Sequence, residues 1–224
     1  TRYKENDILG GIDPYSASKS SSELIIRAYR ESFFRDKRIC GLSSARAGNV
    51  IGGGDWSMDR IVPDCVNAWA LKENVKLRNP HATRPWQHVL EPLSGYLCLA
   101  AEMLNRAELH GEAFNFGPQL QKDKSVLELV KAMKENWKDI NFEDISDSYT
   151  GPYESKLLKL NCDKALHLLS WQAILDFKDT VSYTAEWYRE YYSSKSKMYS
   201  FTTNQIKKYT LKAKSFGAKW SQYF

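Results

Sequence analysis

The chain has 224 residues, 42% of them hydrophobic, enough for one good core or for one core with a small lobe. No apolar run approaches the ~18 residues that a membrane-spanning helix needs, and the opening TRYKENDILGG has neither the basic start nor the apolar stretch of a signal peptide. The formal net charge of +5 is a property of the tail: residues 191 to 224 hold seven lysines and no acid, so residues 1 to 190 carry a net −2, which argues against a nucleic-acid groove through the body.

Asp13-Pro14-Tyr15 reads as a helix start, because aspartate accepts from the free N–H groups of a first turn and proline is tolerated at the first helical position. The helix is expected to run to about Phe34. A strand follows over 38–46 and enters Asn49-Val-Ile-Gly-Gly-Gly54, whose glycines permit a tight turn or a close backbone approach. Asp59 is placed to cap a helix carrying Ile61, Val62, Val66 and Ala70, and residues 75–78 alternate like a short strand. A longer helix from about Pro92 to Leu104 sets Leu93, Tyr96, Leu97, Ala100 and Leu104 at helical spacing. Ala113-Phe-Asn-Phe-Gly117 is a strand stopped by Gly-Pro, and Ser125-Val-Leu-Glu128 is a capping box for a helix expected to reach Trp137. Residues 139–152 read as a loop with one possible strand, 157–160 as a strand, and 163–169 and 176–192 as helices, the last with Phe177, Val181, Thr184, Tyr188 and Tyr191 in register. Strands alternate with helices, which predicts an α/β protein with a mainly parallel sheet. The tail places Ile206, Tyr209, Ala213, Phe216 and Trp220 on one helical face, a pattern that suits docking onto the protein itself better than onto a membrane.

Tyr15 and Lys19, four apart on a helix, leave from one face and can meet at one site. A nearby ammonium favours a phenolate, so the pair has the makings of a proton-transfer device, although the spacing alone is common. Arg60, Arg78 and Arg84 offer the planar cations that suit phosphate oxygens. Cys40, Cys65, Cys98 and Cys162 form no C-x-x-C, so a reducing cytoplasm fits better than a disulfide scaffold, and the four histidines show no metal-binding spacing.

The whole run Asp13-Pro-Tyr-Ser-Ala-Ser-Lys19, followed by Arg46-Ala-Gly-Asn49-Val-Ile-Gly, resembles the extended short-chain dehydrogenase/reductase family. Asn49-Val-Ile-Gly-Gly-Gly-Asp-Trp56, Asp59-Arg-Ile-Val-Pro63, Arg78-Asn-Pro-His81 and Arg84-Pro-Trp-Gln-His-Val-Leu-Glu-Pro92 look specifically like its CDP-glucose 4,6-dehydratase branch, over residues 3 to 192. The resemblance implies part of a Rossmann-type doubly wound parallel sheet with a smaller mixed α/β substrate-binding lobe. Residues 1–50 would be the remaining part of the NAD-binding domain, 51–192 the substrate lobe with segments returning to that domain, and 193–224 a basic helical tail. It implies NAD as cofactor, CDP-glucose as substrate and a homo-oligomeric complete enzyme, with no nucleic-acid or membrane partner. Tyr15 would take the proton from the carbon-4 hydroxyl while hydride passes to NAD, water would leave across carbons 5 and 6, and hydride would return to carbon 6. Lys19 would hold the cofactor ribose beside Tyr15. Asn49, Arg60, Arg84 and Asn115 would surround the phosphates and nucleotide, with Arg78 and Asn79 nearer the base and Arg46 bracing the loop.

No G-x-G-x-x-G occurs in the sequence. The expectation is therefore a carboxyl-terminal fragment, whose absent portion would carry that fingerprint and a Thr/Ser-Asp-Lys segment. Two other readings stay open: a different nucleotide-sugar epimerase or dehydratase of the family, and a noncatalytic nucleotide-binding remnant. An interaction module built on the basic tail is a weaker third.

Overall fold

Asp13 opens the first helix as its chemistry predicts: its Oδ1 accepts the Ser16 N–H at 3.0 Å, and Pro14 begins α1 (Pro14–Phe33). The computed structural model describes residues 2–36, 40–118, 123–137, 141–148 and 159–223. After α1 comes β1 (Ser44–Ala47), shorter than the strand expected over 38–46; residues 40–43 are irregular, and 37–39 lie outside the described residues.

β1 pairs in parallel with β6 (Ala113–Phe116), Ser44 facing Ala113 and Ala47 facing Phe116. β2 (Val50–Ile51) runs parallel to β5 (Gln87–His88), and β3 (Val75–Leu77) runs parallel to β8 (Phe142–Asp144). One described pairing is antiparallel, β4 (Thr83–Arg84) with β7 (Lys124–Ser125). Parallel partners need crossover connections, and α2 (Ile61–Ala70), α3 (Leu90–Met103) and α4 (Val126–Lys134) lie within them.

The core has three adjoining parts. Val62, Val66 and Trp69 of α2 meet Leu129 and Met133 of α4 and Tyr188 of α6 (Phe177–Ser193). Leu99 of α3 packs with Phe114, Phe116 and Trp171 beside α5 (Asp163–Leu169). Tyr209 and Ala213 of α7 (Met198–Ser215) pack with Leu175 and Tyr183, so the tail helix docks onto its own protein, but the expected face is corrected: Ile206 and Phe216 are 45% and 52% exposed, and Gln205 is buried. No helix among the described residues is long and apolar enough to cross a membrane.

Several local expectations are corrected. Asp59 does not cap α2: its φ is +62°, Arg60 holds the N-cap position, and the Asp59 carboxylate pairs with Arg78 instead. The Ser125–Glu128 capping box forms, but α4 stops at Lys134 rather than reaching Trp137. Of the strand expected over 157–160, residues 157 and 158 lie outside the described residues, and Leu160 makes a single parallel bridge to Tyr3.

The largest correction concerns α3, whose leucine stripe is not its buried face. Leu93, Leu97 and Leu104 are 45%, 69% and 84% exposed, whereas Glu91, Ser94 and Cys98 face inward. Those polar groups are buried because each finds partners. Glu91, 1% exposed, accepts the N–H groups of Ile174 and Leu175 at 2.9 and 2.6 Å on Oε1. The Tyr209 hydroxyl lies 3.0 Å from both Glu91 Oε2 and Ser94 Oγ, and Ser94 Oγ also accepts the Trp171 indole N–H at 2.9 Å. A hydrophobic-periodicity argument finds the helix but misreads which side a polar network can hold.

Burial pushes the Glu91 carboxyl up from 4.5 to about 7, against the opposing hydrogen bonds from Leu175, Ile174 and Tyr209 and the charge of Lys212. A folded-state value above the unfolded one stabilises the protonated form, so this contribution is complete below about pH 4.5 and is lost as pH rises through about 7. At about 1.4 kcal/mol per unit, the wild type should lose roughly 3 kcal/mol more stability than Glu91→Gln between pH 4.5 and pH 8. Urea unfolding of both proteins across that range checks it, and equal slopes would contradict it.

Candidate active site

The start of α1 and the carboxyl ends of β1 and β6 border a cleft of about 770 Å³. Tyr15 and Lys19 both line it, one helical turn apart, with Lys19 Nζ 5.5 Å from the centroid of the Tyr15 ring. Tyr15 is 72% exposed, so its phenol is open to a molecule entering the cleft. Asn49 lines the same cleft at φ +52°, a left-handed conformation that asparagine tolerates better than most residues, and its carbonyl accepts the Gln87 N–H at 3.2 Å. The structure therefore brings together three of the residues singled out in the sequence.

Arg46 also lines the cleft, but its donors are engaged. Its Nε donates to Glu23 Oε1 at 2.7 Å and its Nη1 to the Glu5 carbonyl at 3.1 Å. The other Glu23 oxygen accepts the Ser44 hydroxyl at 2.9 Å. Burial pushes the Glu23 carboxyl up, yet the hydrogen bonds from Arg46 and Ser44 outweigh it and hold the carboxyl below its ordinary range. Glu23 is a residue that sequence reasoning missed. Its signal was available: positions 15, 19 and 23 repeat at four and share one face of α1.

The Gly52–Asp55 turn is shaped by α6. A Cβ on Gly53 would fall 2.1 Å from the Trp187 ring, so the close approach requires glycine. Tyr188 donates to the Asp55 carbonyl at 2.6 Å, and Trp56 meets the Tyr188 ring edge-on at 5.3 Å. Next to the turn, Arg60 Nη1 is 3.4 Å from Asp55 Oδ2 with 63% of the side chain exposed, while Arg78 pairs with Asp59. Two guanidinium groups thus stand near the start of α2, outside the cleft that Tyr15 lines. Asn79, half-buried, accepts the Ala82 N–H at 3.2 Å and closes a turn.

Arg84 is only 9% exposed and donates from Nη1 to the Thr83 carbonyl at 2.9 Å, while its neighbour Pro85 reaches the cleft wall. Asn115 is placed outside this lining. At 1% exposure it does not line the cleft; its Nδ2 donates to the carbonyls of Tyr3 and Asn161 at 3.2 and 3.1 Å, tying the amino-terminal segment to β6. His88 is neutral, because burial lowers it to about 4, and its Nδ1 accepts the Leu90 N–H at 3.3 Å.

The chain is similar to known proteins. Residues 1–184 match the family model described as GDP-mannose 4,6 dehydratase. The CDP-glucose 4,6-dehydratase of Salmonella typhimurium is 41% identical over 191 residues, covering 84% of this chain and 53% of its own. The dTDP-D-glucose 4,6-dehydratase of Bos taurus is 24% identical over 186 residues, covering 80% of this chain and 48% of its own. Among solved structures, dTDP-glucose 4,6-dehydratase from Bacillus anthracis in complex with NAD superposes with a TM-score of 0.66 at 20% identity, over 87% of this chain and 58% of that one. UDP-glucuronic acid 4-epimerase from Bacillus cereus in complex with UDP-glucuronic acid and NAD gives 0.67 at 16% identity, over 85% and 57%. These two share the α/β fold that the alternating elements predict, of the Rossmann type that the family resemblance implies. The chain spans about half the length of the curated relatives it matches. With the Tyr–Lys pair, the asparagine turn and 184 matched residues in one frame, the chain belongs to the GDP-mannose 4,6-dehydratase family.

Proposed function

We propose that the polypeptide carrying these residues dehydrates CDP-glucose to CDP-4-dehydro-6-deoxyglucose. The observation that carries this reading is the Tyr15–Lys19 pair opening, with Asn49, onto one cleft of about 770 Å³. The 41% identity to a CDP-glucose 4,6-dehydratase supports the choice of sugar nucleotide.

Tyr15 accepts the proton of the carbon-4 hydroxyl as that carbon is oxidised, a step its exposed phenol has room to make. The resulting ketone acidifies the proton on carbon 5, and water leaves across carbons 5 and 6. Two hydrogen-bonding side chains open to the cleft fit a nicotinamide ribose, so Tyr15 and Lys19 are the residues that would hold NAD; the sequence offers no G-x-G-x-x-G to cradle its pyrophosphate. When bound, NAD supplies the hydride acceptor for carbon 4 and the hydride returned to carbon 6. Asn49 orients the sugar. Arg60, whose contact with Asp55 is long at 3.4 Å and whose side chain is 63% exposed, exchanges Asp55 for a substrate phosphate, with Arg84 as a buried cation behind the wall and Arg78 and Asn79 toward the base. In this reading residues 1–50 belong to the cofactor domain, 51–192 to the substrate lobe and 193–224 to the tail. Four unpaired cysteines support a cytoplasmic location, and the exposed Leu24, Ile25, Tyr29 and Phe33 along α1 support a homo-oligomer.

In the full natural polypeptide that contains these residues, Tyr15→Phe should lower CDP-glucose turnover by at least ~10²-fold while substrate affinity stays nearly unchanged. Wild-type turnover in that variant would remove Tyr15 from the chemistry. Losing a charged hydrogen bond to phosphate weakens binding by about one to two decades whatever the base, so Arg60→Ala should weaken CDP-glucose and dTDP-glucose alike. Asn79→Ala should instead narrow the gap between them. Competitive binding of both nucleotides reads the two effects, and a reordered preference in Arg60→Ala would exchange the roles.

A further inference from the structure

Glu23 is the one acidic side chain among the described residues that line the Tyr15 cleft, and it follows Lys19 by four positions on α1. Side chains four apart on a helix are neighbours, so a carboxylate placed there is the obvious ion-pair partner of the lysine. That pair does not form. The Lys19 ammonium stands 5.5 Å from the Tyr15 ring centroid and makes no ion pair among the described residues, whereas both Glu23 oxygens are taken by β1. Arg46 Nε donates to one at 2.7 Å, and the Ser44 hydroxyl donates to the other at 2.9 Å.

Ser44 and Arg46 alternate with Ala45 along the strand and so leave from one face of it. Arg46 is further fixed by donating from Nη1 to the Glu5 carbonyl at 3.1 Å. With 23% of Arg46 and 18% of Glu23 exposed, the pair is shielded better than a surface ion pair. Burial pushes the Glu23 carboxyl up, but the bonds from Arg46 and Ser44 outweigh it, so Glu23 is charged at neutral pH and its charge is matched by Arg46. The other ionisable groups on the wall are Tyr3, Tyr96 and Lys159, the last paired with Asp123 at 3.1 Å; Arg27 borders Glu23 from a smaller cavity of about 290 Å³. An unmatched carboxylate beside Lys19 would act against the Tyr15–Lys19 pair twice. It would draw the ammonium off the Tyr15 ring, and its negative charge would disfavour a phenolate there.

We propose, on the reading that Tyr15 and Lys19 carry the chemistry, that Arg46 and Ser44 are positioning residues for them: by holding both Glu23 oxygens they withhold that carboxylate from Lys19 and leave the ammonium to Tyr15.

The test has two arms. On the 224-residue chain, trace acetylation of Lys19 by acetic anhydride across pH, followed by peptide mass spectrometry, reports how readily the ammonium gives up its proton with neither substrate nor cofactor present. An opposite charge a few ångströms away moves a titration by ~1–3 units before solvent screening, so Arg46→Met should raise the pH of half-maximal labelling by about half a unit or more. Arg46→Gln, which keeps an amide donor for the Glu5 carbonyl, should move it the same way. Adding Glu23→Gln to Arg46→Met should return the midpoint to the wild-type value, a reversal that a merely structural role excludes because the double variant has lost more contacts than the single one. In the full natural polypeptide, the acidic limb of the kcat/KM profile for CDP-glucose should move to higher pH in Arg46→Met and return in the double variant. Unshifted labelling in both Arg46 variants, the result that pairing of Glu23 with Arg27 would give, overturns the proposal, as does a double variant that stays displaced. Labelling that shifts and returns in a polypeptide without CDP-glucose turnover would keep the charge relation and remove the dehydratase reading instead.

Discussion

The placement of the cleft rests on one buried amide. Gln87 is 1% exposed, and its Nε2 donates to the Gly48 carbonyl at 3.0 Å and to the Phe116 carbonyl at 3.1 Å. β1 and β6 run parallel with Ala47 opposite Phe116, so these two carbonyls mark the carboxyl ends of neighbouring strands. Open α/β sheets bind their ligands beyond such ends. The same residue donates its backbone N–H to the Asn49 carbonyl at 3.2 Å and so fixes the left-handed turn from which Asn49 reaches the cleft. Its Oε1 is buried without a partner among the described residues, an unfavourable arrangement offset by holding three backbone segments in register.

Gln87 precedes Glu91 by four residues, and through Glu91 the scaffold of the cleft is continuous with the tail. The Glu91 carboxyl joins the amino-terminal turn of α3 to Ile174, Leu175 and Tyr209. Gln205 of α7 donates to the Tyr183 carbonyl at 2.8 Å, and the Tyr183 ring meets His88 edge-on at 5.4 Å. A charged His88 would oppose burial in this packing, and the neutral form, accepting from Leu90, satisfies it. Tail residues thus support β5 from behind, and the order of residues 198–215 belongs to the same packed unit as Asn49.

Much of this was legible in the sequence because it depends on local chemistry. The Asp13 cap, the Ser125–Glu128 capping box and the helix over Phe177–Ser193 follow from side chains that bond within a few residues of themselves. That Tyr15 and Lys19 share a helix face was legible through their spacing, and they line one cleft with Asn49. The failures come where distant segments decide. Asp59 looks like a cap until Arg78, nineteen residues away, takes its carboxylate. The burial of Asn115 is likewise set by distant segments, since the carbonyls of Tyr3 and Asn161 accept from its amide. The inward face of α3 was invisible because a glutamate and a serine enter a core only if a tyrosine 115 or more positions away meets them there. Periodicity reports the hydrophobic stripe and contains nothing about which polar groups will be paired.

The Tyr15–Lys19 pair shows how lightly a candidate active site can be held. α1 has no residue in the buried class, although it is 20 residues long. Described polar attachments from it to β1 and its surroundings are Glu23 to Ser44 and Arg46, and Arg30 to the Gly111 carbonyl at 3.1 Å. Gly111 has φ +86°, a left-handed conformation that favours glycine. Partly exposed polar contacts of this kind contribute little each, because water competes for the same donors and acceptors. Glu23, four residues beyond Lys19, is the nearest of them in sequence to the Tyr15–Lys19 pair. Glu23 thus ties the face of α1 that carries Tyr15 and Lys19 to β1, through Arg46 and Ser44.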